Sequence, residues 1–151
     1  MWQSNYAMEL NDKVTITLTL SVDAPIDFVW KCWTTPKDIT QRNNASDDWH
    51  TTSAINDLRI GGTFNYRMEA KDGNFGFDFT GKYFNVIPNK LIEYTIDDGR
   101  KVKVEFLLIN SHTIVTEIFE AESENSIDLQ RDGWHSILIN FKRYTEKKFN
   151  R

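Results

Sequence analysis

Cysteine is almost missing from this sequence: Cys32 is the only one in 151 residues, so no internal disulfide can form and no CxxC metal or redox pair exists. A lone thiol fits a reducing cytoplasm. Proline and glycine are also few, at three and seven, and no linker, repeat or composition break divides the chain, so one domain over residues 1–151 is expected. No run of lysine or arginine occurs and the formal net charge is -4; without a basic patch to neutralise phosphates, nucleic acid is set aside as a partner. No apolar stretch approaches the roughly 20 residues of a spanning helix. The opening Met1-Trp2-Gln3-Ser4-Asn5-Tyr6 carries neither the basic and apolar regions nor the cleavage site of an export signal.

Catalytic and metal-binding motifs are equally scarce. His50, His112 and His135 are scattered, with no His-Glu-x-x-His spacing, and no Gly-x-Ser-x-Gly elbow is present. Gly61-Gly62 lacks the Lys and the strand-to-helix setting of a phosphate loop, which leaves a tight turn or a bulge that bends a sheet. Cys32, between Trp30 and Trp33 with only Lys31 as a basic neighbour, reads as a small buried hydrophobe. His135 is expected to face solvent and His112 to lie in a turn. His50, beside Trp49, is the histidine expected near a cavity, and Glu117 is one of the few carboxylates that acid–base chemistry could use. No metal or other cofactor is called for.

What the chain has in quantity is aromatic residues: ten Phe, five Trp and five Tyr, 13% of the sequence. Their setting follows from periodicity. Val14, Ile16, Leu18, Leu20 and Val22 alternate with Thr and Ser as in a strand with one buried face. Pro25 then starts a short helix with Ile26, Val29, Trp30 and Trp33 on one side, and Thr35-Pro36 starts another. A polar loop is expected over 41–48. Beyond it, alternation returns in Phe64-Tyr66-Met68, in Phe75-Phe77-Phe79-Gly81-Tyr83, in Ile92-Tyr94-Ile96 and in Val102-Val104-Phe106-Leu108, separated by turn residues at Asp72-Gly73, Pro88-Asn89 and Asp98-Gly99. A last strand over 113–120 is mixed on both faces, which leaves its inner side open. Then the period changes to 3.6. Ile127, Trp134, Ile137, Leu138, Phe141 and Tyr144 form one stripe of a helix over about 125–147, with Asn125 as its expected cap. Strand, two short helices, a strand meander and a long terminal helix make an α+β fold, its antiparallel sheet of six or seven strands covered on one face.

In this order and spacing, Ala24-Pro25-Ile26-Asp27-Phe28-Val29-Trp30, Trp49, Asp57-Leu58-Arg59-Ile60-Gly61-Gly62-Thr63-Phe64, Val86-Ile87-Pro88-Asn89-Lys90-Leu91-Ile92 and Asp132-Gly133-Trp134 resemble the START-like, or helix-grip (SRPBCC), superfamily. Within it, the resemblance is to the homologues of the activator of the heat-shock protein 90 ATPase. It implies a curved antiparallel sheet wrapped around the C-terminal helix with a cavity between them. Where the family often carries a leucine-rich end to that helix, this chain has Ile137, Leu138, Ile139 and Phe141, which alters the groove. With a first strand near Val14, the separate N-terminal domain of the co-chaperone is not expected.

Taken with that resemblance, the aromatic residues become a candidate cavity lining. Phe64, Tyr66, Phe75, Phe77, Phe79, Tyr83, Tyr94 and Phe106 alternate onto the strand face that meets Trp134, Leu138 and Phe141. Trp33 and Trp49 are added from the segments beside it, the Tyr hydroxyls and the Trp49 indole N–H supplying polar anchors. A packed core is the alternative reading for any one of these rings. The expected function is binding of a small hydrophobic, aromatic or lipid-like ligand that enters between the 41–48 loop and the helix. Two rivals stand beside it: an enzyme similar to the polyketide cyclases and aromatases, using Tyr66, Tyr94 and His50, and a co-chaperone acting through its surface.

Overall fold

The structure is a computed structural model that describes residues 13–151. The reading of Met1 to Tyr6 as free of an export signal lies outside those residues. The elements are β1 (Thr15–Val22), α1 (Ile26–Thr34), α2 (Pro36–Arg42), β2 (Trp49–Asn56), β3 (Thr63–Ala70), β4 (Gly76–Ile87), β5 (Leu91–Ile96), β6 (Lys101–Ile109), β7 (His112–Glu120) and α3 (Ile127–Phe149). All seven strands form one antiparallel sheet in the order β1-β7-β6-β5-β4-β3-β2. Strands β2 to β7 follow one another across it as a meander, and β1 closes onto β7. The sheet curls, and α3 lies in its concave face with α1 and α2 beside it. This is the α+β helix-grip arrangement. Among the described residues, no helix is long and apolar enough to cross a membrane.

The register explains how single residues line up into rows. Ile16 opposes Phe119, Phe119 opposes Val102, Val102 opposes Tyr94, and Tyr94 opposes Tyr83, so one row of inward side chains crosses five strands. The next row runs Leu18, Glu117, Val104, Ile92. The inner face of β7, undecided in the sequence, is therefore Thr113, Val115, Glu117 and Phe119, all buried. Helix α3 docks on these rows: the Trp134 indole stacks flat on Phe119, centroids 3.9 Å apart and planes 10° off parallel. Phe141, fully buried, meets Trp33 edge-on at 4.8 Å.

Two local expectations change. Asn125 does not cap α3; its amide and backbone N–H are spent on the Glu122 carboxylate, and the cap is Ser126, whose hydroxyl accepts from the Leu129 N–H at 3.1 Å. Thr35 occupies the cap position of α2 but makes no side-chain cap bond. Phe75, expected on the inner face, is 71% exposed, because the turn that opens β4 carries it past the edge of the curled sheet.

At Gly81 a larger residue would not fit. A Cβ at Gly81 would lie inside the van der Waals envelope of the Phe64 ring, which packs across it to reach Tyr83 and Tyr94. Gly81→Ala is therefore expected to displace Phe64 and to cost about 1–3 kcal/mol, as overpacking does. Urea unfolding checks this; an unchanged midpoint would contradict the packing described.

Candidate functional site

Between the concave face and α3 the core does not close. A cavity of about 270 Å³ remains, lined by residues of α1, α2 and the chain just after it, β3 to β5, β7 and α3, with Arg100 at the start of the β5–β6 side. Of the twelve residues expected to line it, Trp33, Tyr66, Phe77, Phe79, Tyr83, Tyr94, Trp134 and Leu138 do. The other four lie elsewhere. Phe64 packs between Tyr66, Phe79, Tyr83 and Tyr94 in the layer behind the lining. Phe106 is taken by Trp30 and Trp33 of α1, at 5.2 and 5.9 Å. Phe141 sits under Trp33. Trp49, on the edge strand β2, leans on Phe77 from outside at 6.0 Å. The reason is common to all four: periodicity gives the face of a strand, whereas the place along that face where α3 crosses decides which rings meet open space.

The expected histidine does not reach the cavity. His50 is exposed on β2, His135 is exposed as expected, and His112 is exposed at the start of β7 with its Nδ1 3.3 Å from Asp23. Among the described residues no cluster of His, Cys, Asp or Glu could hold a metal ion.

What the sequence did not reveal is Arg42. As the last residue of α2 it was expected to open a solvated loop; instead it is 3% exposed and lines the cavity. Its guanidinium lies 4.4 Å over the Trp33 ring and 5.4 Å over the Phe141 ring, and donates at 2.6 Å to the Trp33 carbonyl, left free at the end of α1. Its own carbonyl accepts from the Asn140 amide at 2.8 Å, and the same amide reaches the Asn44 side chain at 3.0 Å. Those bonds tie α3 to the loop after α2 across the gap expected to be the way in. The most exposed ring of the lining is Phe77, at 46%. It lies on the β3–β4 hairpin.

The remaining polar groups of the lining come from the sheet. Tyr83 donates to the Asn56 side chain at 2.6 Å, and Asn56 donates in turn to the Thr34 carbonyl at 2.7 Å, which joins β4, β2 and the end of α1. Burial pushes the hydroxyls of Tyr66, Tyr83 and Tyr94 up, so all three stay neutral; the Arg42 charge opposes that shift at each. Glu117, between Leu18 and Val104 in its row, is pushed up to about 7 by burial, again against the pull of Arg42. The Arg42 guanidinium is itself shifted down by desolvation. Cation, carboxyl and three phenols thus face one aromatic space.

Glu117 gives the site a measurable signature. An unfolded carboxyl releases its proton near 4.5 and the folded one near 7, so between those values the native state holds a proton that the unfolded chain has lost. The associated stability is fully present below pH 4.5 and is lost as pH rises through 7, a fall of roughly 3 kcal/mol. Glu117→Gln is expected to remove that part of the pH dependence and to leave the variant the more stable at pH 8. Parallel urea-derived stability curves for the two proteins between pH 4.5 and 8 would contradict it.

The comparisons agree with this architecture. The solution structure of an AHSA1-like protein from Aeromonas hydrophila is 41% identical, with 89% of this chain and 94% of that one covered and a TM-score of 0.85. A Cytophaga hutchinsonii protein, also a solution structure, is 46% identical over 91% of this chain and 95% of its own, with a TM-score of 0.78. A Nitrosomonas europaea crystal structure reaches the same TM-score, 0.78, at only 18% identity, a likeness of fold alone. Among curated proteins none matches the chain. The sequence model described as "Activator of Hsp90 ATPase homolog 1-like protein" matches residues 23–146, and the chain belongs to that family, a branch of the START-like superfamily.

Proposed function

We propose that this protein binds a small hydrophobic or aromatic molecule in the cavity between the sheet and α3. The observation that carries the reading is an open space of about 270 Å³ beside a core that is otherwise tightly filled. Phe119, Phe141, Ile92, Leu138 and Val104 are fully buried in the same core. Ordinary packing would collapse such a space, because each lining atom without a neighbour loses dispersion energy. The volume is near the lower end of ligand sites, roughly 300–1,000 Å³, which favours a compact ligand over a long lipid. Trp33, Phe79 and Trp134 offer flat faces, and Tyr66, Tyr83 and Tyr94 add hydroxyls. A cytoplasmic setting is part of the same proposal, supported by the single buried thiol, Cys32.

One observation favours a catalytic use of the same space: Glu117, shifted to about 7, faces it beside three neutral phenols, as a general acid–base pair would. That arrangement supports the cyclase-like rival with Glu117 in the part first given to His50. The co-chaperone reading draws support from the family's description and would use the surface instead of the cavity. A pull-down against the chaperone, read by its ATPase rate, separates it from the other two.

The test of the cavity reading is titration with N-phenyl-1-naphthylamine, a neutral aromatic probe. Saturable enhancement of probe emission is expected, and Ile137→Trp, which fills the space from α3, should weaken binding by about tenfold or more while the thermal midpoint holds. Equal binding by the variant would overturn it.

A further inference from the structure

We propose that the natural ligand is an organic acid: a small aromatic or alkyl carboxylate whose apolar body lies among Trp33, Phe79 and Trp134 and whose carboxylate meets the guanidinium of Arg42. This rests on the ligand-binding reading above and names the ligand's class.

Among the described residues Arg42 is a buried charge with no counter-charge in contact. Arg42 has five N–H donors in a planar fork, is 3% exposed, and donates one short side-chain hydrogen bond, to the Trp33 carbonyl at 2.6 Å, with the neutral Tyr66 hydroxyl as its other polar neighbour. Its Nε is buried with no partner at all. Among the described residues no carboxylate forms an ion pair with it. Glu117 lines the same cavity but stops short of that contact. A buried cation in this state is expensive, and an apolar residue of the same shape would serve the core better. Yet the fold invests in keeping it there. The rings of Trp33 and Phe141, in edge-on contact with each other, both lie against the guanidinium, and Asn140 fixes the backbone that carries it. A held, planar, desolvated fork is the donor arrangement that a carboxylate fits with two parallel hydrogen bonds.

Charge counting selects a monoanion. The second cation of the lining, Arg100, is already spent, donating at 2.8 Å to Asp98 and at 3.1 Å to the Glu120 carbonyl. A phosphate dianion would set two charges, with Glu117 nearby, against one guanidinium. The carboxylate sets one.

The experiment is a calorimetric titration at pH 7 with three matched probes, 2-naphthylacetate, 2-naphthylethanol and 2-naphthylmethyl phosphate. The acid is expected to bind about tenfold tighter than the alcohol or better, and tighter than the phosphate; in Arg42→Gln the preference of acid over alcohol should fall to about one. Glu117→Gln, which removes the competing carboxyl from the lining, should raise the acid-to-alcohol ratio several-fold, and it carries the test if the Arg42 variant does not fold. Equal binding of acid and alcohol to the wild-type protein overturns the acid assignment and leaves the ligand reading standing. Tighter binding of the phosphate overturns the carboxylate. An acid-to-alcohol ratio untouched by Glu117→Gln also counts against it, and binding of none of the three overturns this inference together with the reading on which it rests.

Discussion

A guanidinium kept out of water must be held from several sides, and what holds Arg42 also holds much of this fold together. The Trp33 carbonyl that accepts its hydrogen bond terminates α1. The Phe141 ring beneath it belongs to α3, and the Asn140 amide that clasps its backbone is one residue away on the same helix. Three helices therefore converge on one side chain. A second polar contact reinforces them nearby: Asp38 of α2, 2% exposed, accepts from Lys148 at 2.6 Å and from the Tyr144 hydroxyl, both on α3. The apolar stripe of α3 supplies most of the burial energy, and these polar contacts fix where along the sheet the helix comes to rest.

That resting place creates the cavity. Trp134 lies flat on Phe119 at one end of the contact and Phe141 against Trp33 at the other. Between them α3 presents only Ile137 and Leu138 to a sheet that curls away through Tyr94, Tyr83 and Tyr66. Two anchored rings thus hold the helix off the strands, much as spacers would. The space beneath is bounded by aromatic faces on most sides and by a cation and a carboxyl on another, an amphipathic interior that neither a plain core nor a lipid tunnel requires.

Much of this was legible in order of the distance over which each fact is decided. Alternation in Val14 to Val22 and the 3.6-residue stripe from Ile127 to Tyr144 are local, and the elements they imply are there. The family motifs extend that reach to the whole architecture. Arg42 was illegible, because an arginine at a helix end beside Asn43 and Asn44 has the local signature of a solvated loop; its burial depends on Phe141 and Trp33, and on a helix almost a hundred residues later. Glu117 was half legible. It could be named as a titratable group, but β7 carries apolar residues on both faces, and only pairing with Leu18 and Val104 turns it inward. Trp49 and His50 failed for the opposite reason: β2 is an edge strand, so its side chains have a free outer side that sequence alternation does not register.

The most direct measurement of the account is a two-dimensional ¹⁵N–¹H spectrum of the indole and guanidinium N–H groups, recorded as 2-naphthylacetate is added. Saturable shifts of the Trp33 and Trp134 indole signals together with the Nε–H of Arg42 are expected, while the Trp49 indole signal stays in place. Shifts centred on Trp49, or saturable binding that leaves Arg42 unmoved, would contradict it.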